Sequence, residues 1–246
     1  MTKQRLSSND RRDSIIEAAT GVFARSGFSG TKTFDIAKAA EVSEALIFRH
    51  FPSKVAIYRA VLRRMIRSQD ATFKVLSGMS PDAAGIIDML RRTFVHSLQG
   101  KDANNAEGIR IYFSSLSGDG TYAALAYRRS MRLWLKPLEI AMEKARLAGD
   151  LVGPPMSAKN AFTFIEHVSS MMLASRTHQR GIIPYEGDDA ALLEEAIRFC
   201  ARGLGLSDAV IEAHRGLMQA SAAVKAGAPS SARPVKTTRK AKPKAA

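Results

Sequence analysis

Apolar residues recur at helical spacing along almost the whole of this 246-residue chain, and alternating apolar–polar runs are nearly absent. Helices with one apolar face must bury it against other helices, so the expected fold is all-α. Turn-forming stretches cut the pattern at "SGMSPD", "GKD", "SGDG", "GDLVGPP" and "RGIIPYEGDD". Residues 10–26 form the first helix, with Ile15, Ile16, Ala19, Val22 and Phe23 on one face and Gly27 ending it. Thr31 or Thr33 caps a second short helix over 33–40, and Ser43 caps a third over 44–51. Ser53 caps a fourth that runs to about residue 76. Longer helices are expected over 82–99, 104–117, 119–148, 157–180, 188–204 and 207–220.

This spacing divides the chain into a flexible arm (1–9), a small trihelical head (10–62), a larger helical body (77–220) and a tail (221–246). The tail is Ala, Lys, Pro, Ser and Thr without periodicity, a composition that buries too little apolar surface to offset ordering and is read as disordered. Its seven Lys/Arg and no Asp/Glu supply half of the net charge of +14. A basic excess favours polyanionic partners, and the tail either adds nonspecific phosphate affinity or only solubilises the chain. Cys200, the single cysteine, excludes an intrachain disulfide and reads as a small core residue. No apolar run approaches the ~18 residues of a membrane span, and the polar start "MTKQRLSSNDRRDS" lacks a signal peptide's apolar core. A soluble cytoplasmic protein without membrane partners is expected.

Three short helices in the head, the last two joined by a tight turn, describe a helix-turn-helix unit, whose second paired helix enters the DNA major groove. In the stretch "EVSEALIFRHFPSK", Ile47 and Phe51 lie four residues apart and hold that helix inward, leaving Glu44, Ala45, Phe48 and Arg49 to face the groove. Lys54 lies beside a helix N-terminus, where positive charge and free N–H groups suit a phosphate. Thr31, Lys32 and Thr33 occupy a similar position at the entry to the second helix.

The run "AATGVFARSGFSGTKTFDIAKAAEVSEALIFRHFPSKVAIYRAVL", over about residues 11–62, resembles the DNA-binding domain of the TetR family of bacterial repressors. The likeness lies in Phe-x-x-x-Gly, a Thr-flanked helix entry, Ile-Ala, Val-Ser, an aromatic, His-Phe and Ser-Lys, in that order. It implies phosphate or base contacts for Thr31, Lys32, Thr33, Ser43, Glu44, Ala45, Phe48, Arg49, His50 and Lys54. Residue chemistry alone leaves other roles open: a solvated Lys54, a packed or capping His50, a core Phe48, a solvated Glu44. Relatives carry Tyr where Phe48 stands; Phe keeps only an apolar contact, such as one to a thymine methyl. Two departures stand out: Glu41 sits where relatives commonly have Gly in the turn, and Phe34 where they often present a polar or basic residue.

The resemblance further implies that the body supplies a dimer interface and a pocket for a small-molecule effector, with two heads reading a palindromic operator. The interface is expected on helices near 157–180 and 188–204, paired across a two-fold axis. The effector is expected to be apolar or amphipathic and to meet Phe94, Tyr112, Phe113, Trp134, His167 and Met171, residues that would otherwise be core. His96, His167 and His178 have neither the spacing nor the acidic company of metal ligands, so neither metal nor cofactor is expected. No nucleophile–base set or phosphate loop points to catalysis. The competing reading is an architectural DNA-binding protein that uses its basic tail and no effector.

Overall fold

The computed structural model describes residues 7–75, 78–98, 103–176 and 185–219. Eleven helices account for most of these residues: α1 (Ser8–Gly30), α2 (Thr33–Ala39), α3 (Glu44–His50), α4 (Lys54–Val75), α5 (Ala83–Leu98), α6 (Ala103–Ser117), α7 (Thr121–Leu147), α8 (Ala158–Ser175), α9 (Asp189–Leu204), α10 (Asp208–Ala213) and α11 (Arg215–Gln219). The one extended pairing among them is an isolated bridge between Leu151 and Leu206. The tail, His178 and the end of the helix expected to reach 180 lie outside the described residues.

Local chemistry explains most helix ends. The hydroxyl oxygens of Ser7, Ser43, Ser53, Ser157 and Ser207 each accept a backbone amide three residues on, satisfying an orphan donor of the first turn. Asp188 caps α9 the same way through the amides of Ala190 and Ala191. Two expectations need correction. The helix expected over 207–220 is broken at His214, whose ring Nδ1 lies 2.8 Å from the Val210 carbonyl oxygen. Neither Thr31 nor Thr33 caps α2: Lys32 holds that position, and its amide donates to the Asp35 carboxylate at 3.3 Å.

The apolar interior forms two clusters. The larger joins α5, α7, α8, α9 and the short final helices around residues such as Ile86, Leu90, Phe94, Leu138, Ile165 and Ile197. Inside it the Ser97 and Ser169 hydroxyls share a buried hydrogen bond of 2.7 Å, joining α5 to α8. The second cluster centres on Ile15, Val22, Phe23, Ile36, Ile47, Phe51, Ile57 and Val61 of the first four helices, and it also takes in Ile111 of α6 and Tyr122 of α7. The core of the head is therefore completed by residues far along the chain.

Gly27 makes that junction possible. Its φ of +64° breaks the α1 helix, and a Cβ built there would lie 2.9 Å from Ser114 Oγ of α6. Gly21, two turns earlier, would bring a Cβ to 3.1 Å from the Glu107 carboxylate of the same helix. We therefore expect Gly27→Ala to destabilise the fold by about 2 kcal/mol, combining left-handed strain with the close contact. Gly149→Ala, at a φ of +81° with open space around it, should cost only about 1 kcal/mol. Denaturant titration of both variants measures the difference, which isolates the α1–α6 contact.

Candidate nucleic-acid interface and interior cluster

Helix α3 is held from one side. Ile47 and Phe51 are buried, while Ala45, Phe48 and Arg49 are exposed and His50 is half-buried. Arg12 of α1 lies over the Phe51 ring at 4.5 Å, pinning the end of α3 to the first helix. The turn before α3 is closed by the Val42 amide, which donates to the Ala37 carbonyl. Glu41 takes a φ of +52° there, a left-handed conformation that costs a non-glycine residue about 1 kcal/mol. Phe34 of α2 is 60% exposed and Phe48 49%, so the outer face of the helix pair carries two uncovered phenyl rings among Lys32, Asp35, Lys38 and Arg49.

The ten residues implied for DNA contact do not share one fate. Lys32, Ser43, Ala45, Phe48 and Arg49 lie exposed. Thr33 Oγ1 donates to the Glu44 carboxylate at 2.7 Å, so these two are bonded to each other and tie the start of α2 to the start of α3. Thr31 is buried, and its hydroxyl donates to the Gly27 carbonyl at 2.7 Å; that side chain cannot meet a phosphate. Lys54 makes contacts within the chain. Its Nζ donates to the carbonyls of Phe28 and Thr31, both at 2.9 Å, and sits 4.6 Å from the centre of the Phe28 ring. The ammonium thus satisfies carbonyls left over where α1 ends, a cation at a helix C-terminus. Nothing in the local sequence signals this, because the partners are more than twenty residues away.

Behind the head, Phe23, Phe28 and Tyr58 form a ring cluster with centroids 4.9–6.2 Å apart. Burial, and then the Asp119 carboxylate from the loop between α6 and α7, push the Tyr58 phenol up to about 12. Asp119 also accepts from Ser115, whose own hydroxyl oxygen accepts the amides of Tyr122 and Ala123 and starts α7.

The residues expected to meet an effector separate. Phe94 and Trp134 are integral to the large core, and Met171 is 47% exposed on the outside of α8. Tyr112 and Phe113 meet edge-on, and Tyr112 continues to Tyr127 of α7 at 6.1 Å, whose ring meets His167 of α8 at 6.3 Å. Two residues not picked out from sequence complete this cluster. Tyr127 Oη is buried beside the Tyr112 hydroxyl, in poor geometry for a hydrogen bond. Glu166 is deep in the body yet keeps part of its surface accessible, and burial alone raises its carboxyl to about 7. Burial, followed by the Tyr127 hydroxyl, pushes the Tyr112 phenol up as well. The sequence signal for Glu166 is weak: one acid beside Ile165 on an amphipathic helix. Cys200 is buried in the core, and burial raises its thiol to about 11. Among the described residues no three His, Cys, Asp or Glu side chains gather as a metal site, and no helix is long and apolar enough to cross a membrane.

A trihelical head with an exposed second helix of the pair, carried on a larger helical body, defines a helix-turn-helix protein of two-part α architecture. Residues 15–61 match the family described as "Bacterial regulatory proteins, tetR family". The trihelical head is therefore a tetR-family domain. The HTH-type transcriptional regulator RutR of Escherichia coli K12 is 41% identical over 56 residues, which is 23% of this chain and 26% of RutR. The repressor KstR2 of Mycobacterium tuberculosis H37Rv is 23% identical over 148 residues, covering 58% of this chain and 72% of KstR2. In fold the chain is similar to a tetR-family regulatory protein from Rhodococcus RHA1, with a TM-score of 0.57 at 18% identity over 82% of this chain and all of the other. The KstR2 structure gives 0.51 at 17% identity over 84% of this chain and 96% of that one.

Two outcomes follow from the site geometry. Lys54→Met should destabilise the fold by about 1–3 kcal/mol, because two carbonyls lose a charged donor, and thermal unfolding measures it. Glu166 holds its proton in the folded chain up to about pH 7 but would lose it from about 4.5 when unfolded. The folded state therefore binds more protons in that window, and stability falls as pH rises through it. Glu166→Gln should remove this loss, raising stability at pH 8 by at most about 3 kcal/mol and little at pH 4. Urea titrations at the two pH values check the sign.

Proposed function

We propose that this protein is a DNA-binding regulator of transcription, acting as a homodimeric repressor on a palindromic operator and released by a small apolar or amphipathic effector. The observation that carries it is the one-sided mounting of α3: buried Ile47 and Phe51 fix the helix while Ala45, Phe48 and Arg49 stand free. Match of the same residues to the tetR family supports that reading, and the relatives RutR and KstR2 are a transcriptional regulator and a transcriptional repressor. The matched stretch spans about a quarter of RutR, so the activity of the whole chain is our inference. In it, residues 10–62 form the reading head, 77–220 the controlling body, and the protein works in the cytoplasm.

The base and phosphate contacts fall to Lys32, Thr33, Ser43, Glu44, Ala45, Phe48, Arg49 and His50. The Thr31 side chain is excluded by burial, and Lys54 acts as a support for the head. Dimerisation is supported by the large apolar side chains left uncovered on the two expected helices: Phe164 and Met171, a heptad apart on α8, and Phe199, 71% exposed on α9. Gly203, one turn beyond Phe199, opens onto empty space where a partner's side chain could pack. Effector control is supported by the Tyr112–Tyr127–His167 cluster, because Tyr112 also packs against the head's core.

The test is selection of a preferred duplex by the full chain, followed by footprinting. A protected palindrome with two half-sites one helical turn or a multiple apart is expected; protection without sequence preference would favour the architectural alternative. Phe199→Glu combined with Met171→Glu should shift the chain from dimer to monomer in light scattering. Operator affinity should then fall at least ~100-fold, because the second half-site is no longer linked to the first.

A further inference from the structure

We infer that the cluster between α6, α7 and α8 takes an amphipathic ligand bearing a protonated amine, with the amine against Glu166 and the apolar body on the rings of Tyr112, Tyr127 and His167. The inference rests on reading the chain as an effector-controlled regulator and narrows the class of effector.

Three observations carry it. The Glu166 carboxyl lies deep in the body, near the Tyr112 phenol, and among the described residues no cationic side chain offsets its loss of water. Such a group gains most from a ligand that brings the missing opposite charge. Second, Tyr127 Oη is buried, and its interaction with the Tyr112 hydroxyl falls outside good hydrogen-bond geometry. A buried hydroxyl left unsatisfied in a native fold calls for a group to complete it. Third, the rings around it stand edge-on and tilted, Tyr112 to Phe113 at 82°, Tyr112 to Tyr127 at 40° and Tyr127 to His167 at 82°. This arrangement offers ring faces in several directions, and ring faces attract cations. A neutral ligand could satisfy the hydroxyl but would leave the carboxyl without a counter-charge. An anionic ligand would meet the Glu166 carboxylate with like charge.

The cluster also explains how such a ligand would be felt. Tyr112 borders the head's core, and its neighbour Ile111 belongs to that core. A ligand that turns the Tyr112 ring acts directly on the helix to which the head is fastened.

The experiment is calorimetric titration of the full chain with aryl-alkyl primary amines of increasing length, each compared with its matched alcohol and carboxylate. The best amine is expected to bind about ten-fold or more tightly than its alcohol, with no binding by the carboxylate. Glu166→Gln should erase the amine preference, and Tyr127→Phe should weaken the amine a few-fold. Melting curves of both variants confirm that they are folded. Alcohols binding as well as amines throughout the series, or an amine preference that survives Glu166→Gln, would overturn the inference. Footprinting with the same preparations keeps the two readings apart. Selective protection of an operator without amine preference refutes this inference alone. Amine preference without any footprint supports it and sinks the regulator.

Discussion

The seam between α1 and α6 is the contact on which the arrangement of head and body depends. A side chain at position 27 would collide with Ser114, and the left-handed backbone there would resist it. With glycine in place, α1 comes close enough for Ile111 and Tyr122 to enter the head's apolar core. Asp119 then reaches Tyr58, and Ser115 starts α7 directly behind it. The head is not a bead on a linker. Its core is shared, so a displacement of α6 changes what α1 and α4 pack against, and interiors this dense respond by shifting between discrete packings.

Most of the helices were legible in the sequence because their boundaries are written locally. Serine caps at Ser43 and Ser53, the break at Gly27 and the turn clusters between the long helices all act within a few residues of themselves. The inward pair Ile47 and Phe51 followed from the same short-range periodicity. What sequence reading could not reach was the choice of hydrogen-bond partner between candidates of similar chemistry. Thr31, Thr33 and Lys54 each carry groups that suit a phosphate. Their actual partners, Gly27, Glu44 and the carbonyls of Phe28 and Thr31, become available only after the chain has folded back on itself. Lys54 is a case where intramolecular demand for a cation coincided with the position at which DNA would demand one.

The body was less legible for a related reason. Aromatic residues at helical spacing serve core and ligand sites equally well, and only packing distinguishes them. Phe94 is fully enclosed, whereas Tyr112 and Tyr127 are half-buried and bring polar tips into the body. Glu166 carried no such ambiguity once placed, but a lone acid beside Ile165 on an amphipathic helix reads as solvent-facing until the neighbouring helices are known.

The bond from Thr33 to Glu44 has a consequence for how this surface can be dissected. Each residue sits in the opening position of its helix, and the hydrogen bond between their side chains ties the two helices together. Truncating either one slackens the angle between reader and support while also deleting a potential contact to a base. A scan of single alanines would credit both losses to recognition. Only paired replacement, comparing the double change with the sum of the singles, separates scaffold from contact at this corner.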